Sequence, residues 1–299
     1  MIENFKREFI IGEEWFYLKL YTGPKTSELI LTECFKTITE ELIDNSVIDK
    51  WFFIRYYDNG YHLRLRFHYI ERNGFSKIID KLKNPLREFC DLDLVWKIQI
   101  ENYKREIERY GCKNIDLSES IFYFDSKMMM NLFNQISGEE GEDIRWLFGL
   151  RAIDELLSNF KFTLSERKSL LEHLKTGFGN EFNMNRYLKK QLDYKYRIYN
   201  EKIDQFLSLS FESHNEKYSN YLGLLKIRSN EITPLVENII CNIKESNIPL
   251  DSLLSSYIHM SMNRLFKSKA RQHEMVCYDF LFRYYESKIA RLKYSNKSY

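Results

Sequence analysis

The chain has little of what ends or staples a fold: 11 glycines, 4 prolines and 5 cysteines among 299 residues. So few glycines and prolines leave few breakpoints, and long helices joined by short loops are expected. Cys34, Cys90, Cys112, Cys241 and Cys277 form no C-x-x-C pair and are odd in number, which speaks against a disulfide framework and a zinc site. No stretch approaches the roughly 20 apolar residues of a membrane span, and Met1 to Glu14 is charged throughout, without a signal-peptide core. The chain therefore reads as cytoplasmic. A net charge of +2, from 45 basic against 43 acidic residues, excludes a dedicated binder of nucleic acid or of an anionic membrane, which needs a clear basic excess. G-x-G-x-x-G, G-x-x-x-x-G-K-[ST], G-x-S-x-G and H-E-x-x-H are all missing, so no cofactor and no metal is implied.

What is present is an α+β chain, expected as a single domain over 1–299 with a sheet-bearing half (1–115) and a helical half (116–299). Trp15 to Tyr21 is an aromatic, branched run ended by Gly23-Pro24 and reads as a core strand. Leu29, Ile30, Cys34, Phe35, Ile38 and Leu42 recur at helical spacing over 26–45. Trp51 to Tyr57 and Tyr61 to Tyr69 flank Asp58-Asn59-Gly60, a strong hairpin signal. A helix over 74–90 and a strand over 94–100 complete this half. Beyond Asp116 about six helices are expected, with capping-box spacing at Asp116-x-x-Glu119 and Thr163-x-x-Glu166 and a further start at Pro249.

If Asn59-Gly60 alone form the turn, Arg55 faces Arg64 and Phe53 faces Arg66. One hairpin face then carries Phe52, Ile54, Tyr56, Leu63, Leu65 and Phe67. The other gathers Trp51, Phe53, Arg55, Tyr57, His62, Arg64, Arg66 and His68. Like charges opposite each other in a sheet cost about 0.2–1 kcal/mol per pair, so this face calls for an anion. Carboxylates of neighbouring elements could supply it, or a ligand carboxylate or phosphate bound by the planar guanidinium forks. Spacing alone leaves both open.

Four segments, in order along the chain, carry a resemblance. They are Trp51-Phe-Phe-Ile-Arg-Tyr-Tyr-Asp-Asn-Gly-Tyr-His-Leu-Arg-Leu-Arg-Phe67, Tyr103-Lys-Arg-Glu-Ile-Glu-Arg-Tyr-Gly111, Ser118-Glu-Ser-Ile-Phe-Tyr-Phe-Asp-Ser126 and His259-Met-Ser-Met-Asn-Arg-Leu265. Together they resemble the C-terminal glutamate-elimination domain of lantibiotic dehydratases, also called the thiopeptide-type bacteriocin biosynthesis domain. The resemblance implies a ribosomally made precursor peptide, leader plus core, whose Ser and Thr side chains are glutamylated from glutamyl-tRNA. Elimination of the glutamate then leaves dehydroalanine or dehydrobutyrine. It carries the elimination roles to Arg64, Arg66, Glu106, Arg109 and His259. Two departures stand out. Gly111-Cys112 replaces a frequent Gly-Gly, and the large glutamylating domain is absent, which implies a split system with a separate glutamylating protein as partner. A homodimer stays open.

The resemblance implies His259 as proton carrier, since imidazole titrates near working pH. Glu106 competes for that role, although an arginine-rich setting suits it better as an orienter of Arg109 or His259. Arg66 and Arg109 are expected to assist departure of the carboxylate, and Arg64, Arg55, His62, Tyr103 and Asn263 to hold substrate. Each residue has a plainer reading: Glu106 and Arg109, three apart, fit a surface ion pair worth about 0.2–0.5 kcal/mol. Two rivals remain. Some members of the family that the chain resembles perform a formal [4+2] cycloaddition of two dehydroalanines, forming a pyridine, and a non-catalytic chain could bind the precursor peptide or scaffold the glutamylating protein.

Overall fold

The computed structural model describes residues 5–213 and 215–295. Its N-terminal part is a four-stranded antiparallel sheet, β2 (Trp15–Thr22), β3 (Ile48–Tyr57), β4 (Tyr61–Tyr69) and β5 (Val95–Glu101), in the order β3-β4-β2-β5. A short pair, β1 (Glu8–Phe9) with β6 (Tyr103–Lys104), lies beside it. Helices α1 (Pro24–Leu29) and α2 (Lys36–Asp44) are joined by a π-helical turn over Ile30–Phe35, and α3 (Gly74–Asp91) links β4 to β5. These segments follow the apolar periodicities of the sequence to within two or three residues. The short β1–β6 pair has too few residues to show a period.

The short α4 (Ile107–Tyr110) precedes the helical half: α5 (Ile115–Phe133), α6 (Gly138–Asn159), α7 (Leu164–Glu181), α8 (Arg186–Ser208), α9 (Ser219–Ile243), α10 (Leu250–Leu265) and α11 (Ala270–Ser295). The fold is α+β, as the patterning indicates. Thr163 and Glu166 form the expected capping box at the start of α7, each satisfying the other's backbone N–H. The other expected box does not form. Asn114 stands at the cap position before α5 and makes no side-chain cap bond, and Glu119 is buried inside the protein, where its carboxylate has another task.

The hairpin departs from the expected register. Asp58, Asn59 and Gly60 all belong to the loop, with Asn59 at φ 40° and Gly60 at φ 125°, and Tyr57 pairs with Tyr61. A shift of one residue sends every β3 side chain to the opposite face. Ile54 thus faces Arg64, Phe52 faces Arg66, and Arg55 faces Leu63. The face bearing His62, Arg64, Arg66 and His68 now includes Phe52, Ile54 and Tyr56 from β3, and Trp15, Tyr17, Lys19 and Tyr21 from β2. Arg55 is not opposite Arg64 and joins the other face with Phe53, Leu63, Leu65 and Phe67.

The outer edge of β3 is closed by side chains from two helices. Asn263 on α10 accepts from the Arg55 N–H at 2.8 Å and donates to its carbonyl at 2.7 Å, as a paired strand would. Arg264 donates to the Phe53 carbonyl at 2.9 Å, and the Phe53 N–H meets Ser126 of α5 at 3.3 Å. An unpaired edge invites intermolecular strand pairing, and these bonds remove the opportunity. They also fix α10 and α5 against the hairpin, which positions the site described next.

Candidate active site

Arg66 stands in the middle of the sheet between Tyr17 and Phe52, its neighbours on the adjacent strands. Its guanidinium lies 4.4 Å from the Tyr17 ring centre, 4.9 Å from Tyr103 and 5.2 Å from Phe52. It is 8% exposed, no carboxylate pairs with it among the described residues, and its Nε has no hydrogen-bond partner. Buried guanidiniums are ordinarily paired. Arg66 instead lines a cavity of about 40 Å³ together with Phe52, Tyr103, Glu106, Tyr110, Phe122 and Met260. A cation held by ring faces and without a carboxylate partner can pair with an anion.

The wall of this cavity is built by the Tyr103-to-Gly111 segment, which sequence and packing hold in place. Arg105, 6% exposed, points inward and clasps the fully buried Glu119 through Nε at 2.8 Å and Nη2 at 2.6 Å, with Asp116 a further 2.6 Å partner. Tyr103 donates to the same Glu119 at 2.9 Å, and burial raises its phenol pKa well above the usual range. Tyr103 is thus a wall of the site whose hydroxyl is occupied. Beyond Arg105 the chain turns outward: Glu106 and Arg109 form an exposed ion pair at 3.2 Å, with Glu106 on the cavity rim. Gly111 takes φ 80°, whereas Cys112 does not need a positive φ, so the missing second glycine leaves this turn unstrained.

Helix α5 is the spine that joins the segments. Ser118 meets the Tyr257 hydroxyl at 2.7 Å, and Phe122 packs edge-on against Phe52 and Tyr110. Asp125 lies buried between Arg264 at 3.3 Å and Arg228 at 3.4 Å, with the Ser261 hydroxyl at 3.0 Å. Tyr257 of α10 stacks on Tyr110 with ring centres 5.6 Å apart, so α10 is tied to the wall two residues before His259. Met260 reaches the cavity itself. His259, about one-third exposed, turns toward α11, where its Nδ1 is 3.0 Å from Glu274.

The remaining expected residues sit elsewhere on the hairpin. His62 is fully buried: its Nδ1–H donates to the Gly60 carbonyl at 3.1 Å and its Nε2 accepts from Arg64 at 3.1 Å. This pairing requires the neutral ring, and burial holds its pKa below the ordinary value. Arg64 also pairs with Asp58 at 2.9 Å and lies flat over Tyr56, 3.4 Å from the ring centre, so protein groups already engage it. Arg55 is committed to the opposite face, where Ser27, Tyr61, Glu28 and the Arg264 carbonyl use its donors. Buried at 3% exposure, it anchors α10 together with Asn263.

The fold thus gathers Arg66, Tyr103 and Glu106 around one cavity, with Arg109 paired to Glu106 at the rim and His259 on the helix alongside. Arg64 with His62, and Arg55 with Asn263, form two separate groups. Sequence reasoning missed Arg105, Glu119, Asp125 and Arg264 as the framework, although all four lie inside the quoted segments. Glu274 had no local signal.

The family described as lantibiotic biosynthesis dehydratase C-term matches residues 15–285. The chain belongs to this family. It is 27% identical over 259 residues to the subtilin biosynthesis protein SpaB of Bacillus subtilis, covering 85% of this chain and 24% of SpaB. It is 25% identical over 291 residues to the nisin biosynthesis protein NisB of Lactococcus lactis, covering 91% of this chain and 26% of NisB. The chain therefore spans about a quarter of the length of these relatives. Among solved structures, the tRNA-dependent lantibiotic dehydratase MibB from Microbispora has a TM-score of 0.67 at 18% identity, covering 94% of this chain and 29% of MibB. The pyridine synthase TbtD from thiomuracin biosynthesis has a TM-score of 0.62 at 12% identity, covering 90% of this chain and 97% of TbtD. At these identities the two structures speak to the fold. No helix among the described residues is long and apolar enough to cross a membrane.

Proposed function

We propose that this chain eliminates glutamate from glutamylated Ser or Thr side chains of a ribosomally made precursor peptide. The observation that carries the reading is Arg66, a buried guanidinium without a carboxylate partner, lining a cavity beside Glu106. In the elimination, a base takes the Cα proton of the esterified residue. The C–H electron pair becomes the Cα=Cβ bond, and the Cβ–O pair leaves with glutamate as a carboxylate. Arg66 would hold the departing carboxylate, and Arg109 at the rim would add positive potential. His259 would carry the proton, and Glu106 would orient Arg109. The peptide and a glutamyl-tRNA-dependent glutamylating protein are the partners this reading requires.

Mass spectrometry of a peptide carrying a glutamyl ester on serine tests the reading. Incubation with this chain should yield a dehydro residue and free glutamate, and Arg66→Ala or His259→Ala should abolish both. A second reading, cycloaddition of two dehydroalanines, is favoured by the match to nearly the whole length of TbtD. An intact ester together with a pyridine product from a dehydrated peptide would replace the first reading with the second.

A further inference from the structure

Resting on the assignment of proton transfer to His259, we propose that Glu274 is its positioning residue, fixing the Nδ1–H tautomer so that Nε2 presents the lone pair. Glu274 lies on the first turns of α11 and is fully buried, yet both of its oxygens approach His259 Nδ1, at 3.0 and 3.1 Å. The Tyr278 hydroxyl, one turn further along α11, donates to Oε1 at 3.0 Å, and Arg271 Nη1 lies 3.5 Å from Oε2. Arg271 is itself braced by Glu181 of α7. A group that receives from a hydroxyl and lies beside a guanidinium is an acceptor, so the shared proton toward His259 belongs to the imidazole.

Burying a carboxylate costs free energy unless it is well paired. Here the partners run from the protein interior out to a ring that is about one-third exposed. That order, buried carboxylate, then imidazole, then solvent, is how a histidine is held for proton transfer: the carboxylate sets the tautomer and stabilises the imidazolium that forms. Helix α10 completes the placement, since Tyr257 packs on the cavity wall and Met260 lines the cavity. The charged and titratable groups around His259 are Glu274, Arg271 and Tyr278 of α11, with Glu181 of α7 acting through Arg271. No other ion pair to His259 exists among the described residues.

The test combines nitrogen NMR of histidine-labelled protein with steady-state kinetics of elimination. In the unsubstituted protein the His259 ring should show the Nδ1–H tautomer. Glu274→Gln keeps the size but offers an amide, and should let the Nε2–H form appear in the nitrogen spectrum. It should reduce kcat by about 100-fold or more and leave KM within about twofold. Glu274→Asp should recover part of the loss. An Nε2–H ring in the unsubstituted protein, with His259→Asn inactive, would overturn the role of Glu274 alone. Full elimination by His259→Asn would overturn the assignment of His259 as well. Because the tautomer is read on the unsubstituted protein, the proposal stays testable even where Glu274→Gln folds poorly.

Discussion

Replacing Arg66 with methionine separates function from stability. Three ring faces surround the guanidinium at 4.4 to 5.2 Å, and cation–π contacts in a desolvated setting contribute about 2 kcal/mol. Against this, a buried donor without a partner costs about 1–3 kcal/mol, and Nε is such a donor. The two terms nearly cancel, and methionine fills similar volume among the same rings. Arg66→Met should therefore change the unfolding free energy by no more than about 1 kcal/mol. Its effect on elimination should be about 100-fold or more in kcat/KM, equivalent to about 2.7 kcal/mol of lost transition-state stabilisation. Urea denaturation measures the first quantity, and glutamate release from an esterified peptide measures the second. A variant destabilised by more than about 3 kcal/mol, or one that keeps full elimination, would refute the reasoning.

Other substitutions have different signatures. Glu119→Gln leaves the Arg105 guanidinium without its bidentate partner and should cost about 3 kcal/mol in urea denaturation, at the lower end for a broken buried pair because Asp116 remains in contact. Asn263→Ala removes both bonds that close the β3 edge and should cost about 2 kcal/mol, with faster amide hydrogen exchange at Arg55. His62 is held below its ordinary pKa by burial, so the unfolded chain takes up the proton first as pH falls. The contribution of neutral His62 is full above about pH 6.5 and lost as pH drops through the folded value, a slope that His62→Gln should flatten in denaturation measured against pH.

Helix positions were legible because each buries one stripe of apolar residues, as over Gly74–Asp91, and β2 because its aromatic, branched run over Trp15–Thr22 is buried on both faces. The hairpin register was not, and its reason is tertiary. Asp58-Asn59-Gly60 serves a two-residue or a three-residue loop equally well by local rules, and the choice follows from partners far away in sequence. Arg55 finds Ser27, Glu28 and the Arg264 carbonyl only on the far side of the sheet, and Asp58 in the longer loop can reach Arg64. Glu119 shows the same limit, since its spacing from Asp116 fits a cap while Arg105 draws it inside. Arg66 was legible as a candidate, but its isolation from carboxylates is a property of the folded sheet.

The most direct measurement of the central claim is the stoichiometry of products from a serine-glutamylated peptide, with glutamate and dehydroalanine quantified from the same reaction. Elimination predicts one dehydroalanine for each glutamate released, and loss of both together in Arg66→Met at equal folded fraction. Glutamate released with serine regenerated would mean ester hydrolysis, and would contradict the account.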